Sequence, residues 1–142
     1  MTNFMQIAIE EAQKAAMLGE VPVGAVIVHK NTIIAKAFNH TEEYADPTAH
    51  AEMLAIQAAC KILGAPRIPD CDLYVTLEPC TMCAAAISFA RIRNLYYGAS
   101  DAKMGGVYTF LQPTCHHKPQ IYEGIAASES AKLLQDFFAA KR

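Results

Sequence analysis

The stretch CDLYVTLEPCTMCAAAI, residues 71–87, joins an apolar strand to an alanine-rich helix. Residues 71–77 are almost wholly apolar, which is typical of a strand buried in a sheet with parallel neighbours. Pro79 suits the first turn of a helix that is predicted over residues 79–90. Another strand is expected at residues 94–99. Strand, helix and strand therefore alternate here, which predicts right-handed crossovers in a layered α/β sheet.

The flanking sequence extends this alternation in both directions. Helical periodicity predicts a first helix over residues 3–18. Two β-rich runs within residues 21–39 surround Lys30-Asn31 and predict a hairpin. The remaining expected elements are a helix over residues 47–63, a largely irregular loop over 101–120, a short strand within 119–124 and a last helix over 128–140.

The helix predicted over residues 47–63 has signals at both ends. Asp46 or Thr48 could cap its amino terminus, and Pro47 suits its first turn. Gly64 is expected to end it. This prediction places His50 and Glu52 in its first turn.

The composition is that of a globular chain, and the length favours a single domain over residues 1–142. The chain is 53% hydrophobic and 18% charged, which excludes a disordered protein. No apolar run reaches the roughly 20 residues of a membrane span, and Glu10 and Glu11 argue against a signal peptide. We therefore expect a cytoplasmic protein without disulfides. Its net charge of -2 restricts any nucleic-acid surface to a local patch.

Cys80 and Cys83 are spaced to share one face of the helix that follows Pro79. A helix amino terminus lowers a thiol pKa and so favours the metal-binding thiolate. His50, near the start of the preceding helix, is expected to be neutral there, which is also its ligand form. One His and two Cys leave a fourth tetrahedral position for water, as in catalytic zinc sites. We therefore expect one Zn²⁺ bound by these three residues.

The stretch DPTAHAE, residues 46–52, places Glu52 two residues after His50. Burying a carboxylate in an apolar helix costs several kcal/mol unless it is paired or bound to a metal. Zinc lowers the pKa of a bound water from about 16 to about 7. A carboxylate beside that water can take its proton and deliver it elsewhere, so we predict that Glu52 is a proton shuttle.

Simpler interpretations compete with the metal hypothesis. A Cys-x-x-Cys pair alone also fits a redox or structural zinc site, but the joint pattern His-x-Glu and Pro-Cys-x-x-Cys is far more specific for catalysis. A non-catalytic zinc module is a competing class, against which Glu52 argues. The other candidates are interpreted as follows: Cys60, Cys71 and Cys115 as buried thiols, His116-His117 as an exposed loop pair, and Arg91 and Arg93 as either a solvated helix end or phosphate contacts.

At these residues the chain resembles the zinc-dependent nucleobase deaminases, and in particular their tRNA-specific adenosine deaminase branch. The resemblance covers nearly the whole chain. Its segments occur in the same order: EVPVGAV (20–26), DPTAHAE (46–52), TLEPCTMC (76–83), YGASDAKMGG (97–106) and LLQDFF (133–138). The first three are shared in part with guanine and cytosine deaminases, whereas the last two are more particular to the tRNA branch.

The resemblance implies a three-layer cytidine deaminase-like α/β fold, with about five central strands and helices on both faces. It also implies roles for individual residues. Zinc would be bound by His50, Cys80 and Cys83, with Glu52 as general acid and base. The remaining implied contacts are Asn39, Pro22, Val23, Gly24, Ala25 and Ala51 around the base, Asp101 and Lys103 at the anticodon nucleotides, and Phe138 with the basic end Lys141-Arg142 beside the RNA.

The implied activity is hydrolytic deamination of the wobble adenosine to inosine in a tRNA anticodon, with an arginine tRNA as the expected substrate. The implied assembly is a homodimer formed through helices around residues 84–86. The alternative enzyme is a free-base deaminase, with guanine as the best candidate. The loop between Gly106 and Gln120 departs from the family pattern and contributes no implied ligand.

Overall fold

The computed structural model describes residues 2–111, 115 and 117–141. Their regular elements are helices α1 (Phe4–Met17), α2 (Ala51–Leu63), α3 (Thr81–Phe89) and α4 (Ala127–Ala140), a one-turn π-helix (Val107–Leu111), and strands β1 (Gly24–His29), β2 (Thr32–Phe38), β3 (Cys71–Leu77), β4 (Asn94–Ala99) and β5 (Gln120–Tyr122). The predicted number and order of strands are confirmed. None of the helices in this part of the chain is long and apolar enough to cross a membrane.

The strands form one mixed sheet in the order β2-β1-β3-β4-β5. Strand β1 is antiparallel to both β2 and β3, whereas β3, β4 and β5 are mutually parallel. The prediction that β3 is a parallel strand therefore holds on one side only. Its apolar sequence reflects burial under helices rather than parallel neighbours on both sides.

Helices cover both faces of the sheet. In β1, Ala25 and Ile27 belong to the core under α2 and α3, whereas the alternate residues Val26 and Val28 belong to the core under α1. This period of two is expected of a strand whose two faces are both buried. Helix α4 packs against β4, β3 and α1 on the second face. The expected three-layer α/β fold is confirmed.

Helix α1 lies unusually close to the start of β1. A Cβ atom on Gly24 would lie 2.0 Å from the carbonyl oxygen of Ala8 and 2.6 Å from the nitrogen of Ala12. Such separations leave no room for any side chain. Glycine is thus required here for packing of the helix backbone on the strand.

The β1–β2 hairpin has the predicted turn. Lys30 and Asn31 have positive φ angles of 49° and 63°, as a two-residue type I′ turn requires. The last residue of β2, Phe38, pairs with Gly24, the first residue of β1. The end of β2 and the start of β1 therefore lie at the same edge of the sheet.

Both central helices begin later than predicted. Helix α2 starts at Ala51 and α3 at Thr81, so His50 and Cys80 are their N-cap residues. Asp46 is not a helix cap, because its carboxylate accepts hydrogen bonds from the backbone and side chain of Thr48 and closes a local turn. The Asp-Pro-Thr sequence favours such a turn as strongly as a helix start.

The loop predicted to be largely irregular contains the π-helix Val107–Leu111. Gly105 also forms an isolated bridge with Cys80. Residues 112–114 and 116 lie outside the described residues, so the prediction for His116 is not addressed. His117 is half-buried, and its Nε2 lies 2.7 Å from the carbonyl oxygen of Ile92.

Candidate active site

The starts of α2 and α3 converge at one edge of the sheet. The ligand atoms of His50, Cys80 and Cys83 lie within 4.8 Å of one another. The His50 Nδ1 atom is 3.7 Å from the sulfur of Cys80 and 3.6 Å from the sulfur of Cys83. Tetrahedral zinc with ordinary Zn–N and Zn–S bonds requires a nitrogen–sulfur separation of about 3.6 Å. The two nitrogen–sulfur separations therefore match those of a tetrahedral zinc site.

The backbone at both helix starts leaves the ligand side chains free for a metal. His50 and Cys80 have extended N-cap conformations, and neither side chain makes a capping hydrogen bond. Cys83 lies in the first turn of α3 and is fully buried. The unpaired amides of a helix amino terminus favour negative charge, so two helix starts together favour thiolate ligands.

Proton sharing among the three ligands already favours one thiolate. The hydrogen bond from Cys83 lowers the pKa of Cys80 to about 4, and His50 contributes to the same shift. The hydrogen bond to Cys80 raises the pKa of Cys83, and burial adds to that shift. The pKa of His50 is raised, chiefly by its hydrogen bond to Cys80. Binding of zinc replaces the shared protons, which makes metal affinity pH-dependent.

Glu52 lies one residue into α2 and is only 4% exposed. It faces a cavity of about 280 Å³, close to the small end of the range for ligand pockets. Burial raises the pKa of this carboxyl group to about 7. The cavity is lined by Val21, Val23, Asn39, Thr41, His50, Glu52, Leu77, Glu78, Cys80, Asp101 and Met104.

The chain matches the family model described as the cytidine and deoxycytidylate deaminase zinc-binding region over residues 1–99. The chain belongs to this family. All three metal-binding side chains fall within the matched range. In this deaminase His50, Cys80 and Cys83 are positioned to form the metal site.

The chain is similar over nearly its full length to proteins named tRNA-specific adenosine deaminase. The protein of that name from Agrobacterium fabrum is 58% identical over 99% of this chain and 95% of its own length. The one from Aquifex aeolicus is 46% identical over 98% and 94%.

Solved structures of two kinds of deaminase are similar to this chain. A structure from work on A-to-I editing by tRNA:A34 deaminases at the wobble position superposes with a TM-score of 0.88 at 58% identity, covering 92% of this chain and 98% of that one. Guanine deaminase from Bacillus subtilis has a TM-score of 0.68 at 33% identity, covering 98% and 95%.

Asn39 is fixed at the deaminase cavity by the start of α2. Its Oδ1 atom accepts a hydrogen bond of 2.8 Å from the backbone N–H of Ala51. An amide side chain has one acceptor and two donors at opposite sides. Because the acceptor is held by the backbone, the NH₂ group is left for a cavity ligand. Ala51 acts here through its backbone, since its side chain is fully buried.

The segment Pro22 to Ala25 contributes less to the cavity than the resemblance implies. Val23 lines it, but Pro22, Gly24 and Ala25 are absent from the lining residues. Gly24 faces α1 instead, and Ala25 is in the core beneath α2 and α3. Of the four residues from Pro22 to Ala25, only Val23 therefore reaches the cavity with its side chain.

The residues predicted to contact RNA are divided between the cavity and the surface. Asp101 lines the cavity, and its carboxylate also accepts hydrogen bonds from the backbone of Lys103 and Met104. Lys103 is exposed beside it. Phe138 is exposed on α4, outside the cavity lining. Arg142 lies outside the described residues.

Several lining residues were not predicted from the sequence: Val21, Thr41, Leu77, Glu78 and Met104. Four of them offer no chemical signal, because apolar and hydroxyl side chains at strand ends and in loops are common. Glu78 directly precedes the Pro-Cys pair and is only 7% exposed. A carboxylate between an apolar strand and a metal ligand is a signal that could have identified it.

Replacement of Cys83 by alanine should remove most of the zinc and lower the melting temperature. Metal binding stabilises the folded state because the unfolded chain has no assembled site. Zinc content by elemental analysis and thermal unfolding with and without a chelator measure both effects. Cys71→Ala is the matched control, since Cys71 is buried in the core and away from the site. A Cys83→Ala protein that retains one zinc per chain would contradict the assignment.

Proposed function

We propose that the protein deaminates the wobble adenosine of a tRNA anticodon to inosine by hydrolysis. The observation that carries the proposal is a buried carboxylate, Glu52, beside the zinc site in a cavity of nucleobase size. The tRNA substrate is supported by 58% identity, over nearly the full chain, to a tRNA-specific adenosine deaminase. An arginine tRNA with an ACG anticodon is the substrate we propose to test first.

Glu52 is the proposed proton carrier of the reaction. A bound zinc ion supplies Lewis-acid chemistry that makes a water molecule nucleophilic near neutral pH. Glu52 accepts a proton from the attacking water and transfers it to N1 of adenine. After the water oxygen has bonded to C6, Glu52 takes the remaining proton from that C6 hydroxyl group and passes it to the exocyclic nitrogen. The C6–N bond then breaks, C6 becomes a carbonyl carbon and ammonia leaves. Adenine and water are thereby converted into hypoxanthine and ammonia.

Asn39 and the apolar walls are proposed to hold the target base. The NH₂ group of Asn39 can donate to a ring nitrogen or carbonyl oxygen of a purine. Val21, Val23 and Leu77 supply apolar surface that excludes water from the base. A base must leave its stack to enter such a cavity, which costs least for a nucleotide in a single-stranded loop. An anticodon loop meets that requirement.

The surface around the cavity is proposed to contact the RNA backbone. Lys103 is exposed next to Asp101, which itself lines the cavity. Lys141 and Phe138 lie at the end of α4, where the Nζ atom of Lys141 is 5.0 Å from the centre of the Phe137 ring. The Oδ1 atom of Asp101 accepts hydrogen bonds from two backbone N–H groups of its own loop, those of Lys103 and Met104.

Residues 1–142 are proposed to act as one catalytic domain in the cytoplasm, in the form of a homodimer. Phe89, at the end of α3, is 71% exposed. It lies beside a surface pocket lined by Pro66, Arg67 and Arg91. A large exposed aromatic residue with neighbouring arginines is typical of an interface between subunits.

The Glu52→Gln variant should keep its zinc and its melting temperature but lose turnover. Gln has the shape of Glu but cannot carry a proton. A proton shuttle contributes about 10²–10⁴-fold to the rate, and a larger loss is expected here because Glu52 acts at two steps. Inosine formation under single-turnover conditions measures the loss. Near-normal turnover by a zinc-loaded variant would refute the role.

An RNA hairpin should be a far better substrate than any free base. The test compares inosine formation in an arginine tRNA anticodon hairpin with ammonia release from adenine, guanine and cytosine at equal concentration. Binding of the hairpin should weaken as salt rises, and Lys103→Ala should reduce that dependence by about one phosphate contact. Rapid guanine turnover with no inosine in the hairpin would favour the alternative, a guanine deaminase, for which the Bacillus subtilis structure is the precedent.

The wild-type protein should sediment with the mass of a dimer, and Phe89→Glu should convert it to a monomer. A buried, unpaired carboxylate at an interface opposes association. Met17→Glu is the matched control, because Met17 is 85% exposed on α1, on the other face of the sheet. A monomeric wild-type protein, or a dimer that survives Phe89→Glu, would contradict this part of the proposal.

A further inference from the structure

The side chain of Glu78 connects the zinc-binding turn to the loop of residues 101–107. Its Oε1 atom accepts a hydrogen bond of 3.0 Å from the N–H of Asp101, and its Oε2 atom accepts one of 3.3 Å from the N–H of Val107. The two N–H groups mark the beginning and the end of the loop. One carboxylate therefore fixes both ends.

The backbone of the same loop lies directly on the turn that carries Cys80. The N–H of Gly106 donates to the carbonyl oxygen of Pro79 at 2.7 Å. A Cβ atom on Gly106 would lie 2.7 Å from the Cα atom of Thr81, and one on Gly105 would lie 2.2 Å from Oε2 of Glu78. The two glycines are required because the loop approaches the turn and the carboxylate too closely for a side chain.

The loop held in this way forms one wall of the substrate cavity. Asp101 and Met104 line the cavity, and Glu78 lines it as well. Met104 is 65% exposed, so apolar packing alone does not hold it in place. The position of this wall depends on hydrogen bonds, and charged acceptors make the stronger ones.

We propose that Glu78 is a positioning residue that sets the loop 101–107 as the recognition wall of the cavity. Glu78 neither binds the metal nor transfers a proton; it determines where Asp101 and Met104 meet the substrate. The part that concerns RNA recognition rests on the proposed function. The part that concerns the loop rests on the hydrogen bonds alone.

The test uses Glu78→Gln in the full-length, zinc-loaded protein. A Gln side chain keeps the size of Glu but presents one acceptor, so its NH₂ group opposes one of the two N–H groups. Losing a hydrogen bond to a charged group changes an equilibrium about tenfold or more. We expect trypsin cleavage after Lys103, identified by the masses of fragments 1–103 and 104–142, to accelerate about tenfold. Zinc content should stay at one per chain.

The kinetic readout separates positioning from general damage. For the anticodon hairpin, KM should rise about tenfold in Glu78→Gln while kcat falls much less. Glu11→Gln is the matched control, because Glu11 is a buried carboxylate that pairs with Lys14 on α1, outside the cavity lining. It should change the melting temperature without changing KM or the cleavage after Lys103.

Gly105→Ala perturbs the same contact from the other side, since its methyl group would meet the Glu78 carboxylate and also the carbonyl oxygen of Asp101 in the same loop. The double variant with Glu78→Gln should be no worse than the poorer single variant, as expected for two changes to one interaction. Unchanged cleavage and KM in Glu78→Gln, or loss of its zinc, would overturn the proposal. Faster cleavage in Glu78→Gln, with a wild-type protein that produces no inosine, would overturn the proposed function and support the positioning role.

Discussion

The architecture depends on bringing three metal-binding atoms from two helix starts, 30 residues apart in sequence, to within 4.8 Å of one another. Strand directions make this possible. Strand β2 ends, β1 begins, and β3 and β4 end at the same edge of the sheet. Because α2 and α3 both start there, their positive amino termini face a common point. The loops at this edge consequently surround the zinc site and form the cavity.

Two buried carboxylates hold those loops in place. Glu20 is 1% exposed and accepts hydrogen bonds from the backbone N–H groups of Glu42 and Glu43. Desolvation opposes its charge, yet these N–H donors hold its pKa below the usual value. Glu78 has the equivalent role on the opposite wall, toward Asp101. In each loop, backbone N–H groups donate to a buried carboxylate, that of Glu20 or that of Glu78. The two cavity walls are therefore ordered before a substrate binds.

The sequence predicts most elements of the fold because their signals are local. The hairpin at Lys30-Asn31 needs only its turn residues, and the order of strands and helices follows from periodicity. The predicted start of α2 is too early because Asp46 closes a local turn with Thr48, and the N-cap residue is His50 instead. Gly24 was assigned to the cavity by resemblance, although its contact with α1 is visible only in three dimensions. The position of Glu78 before Pro79-Cys80 is a sequence signal, but its hydrogen-bond partners follow it by 23 and 29 residues and are found only in the structure.

The first turn of α2 couples three chemical functions. His50 supplies a metal ligand, Glu52 the carboxylate, and the N–H of Ala51 between them holds the amide of Asn39. A shift of this turn would therefore move the His50 imidazole, the Glu52 carboxylate and the Asn39 amide together, so their mutual distances would change little. A misplacement of about 1 Å between reacting groups can cost about a hundredfold in rate. Because all three groups are held by one turn, motion of α2 changes the distances between them little. The loops around the cavity can therefore change in sequence without moving these groups.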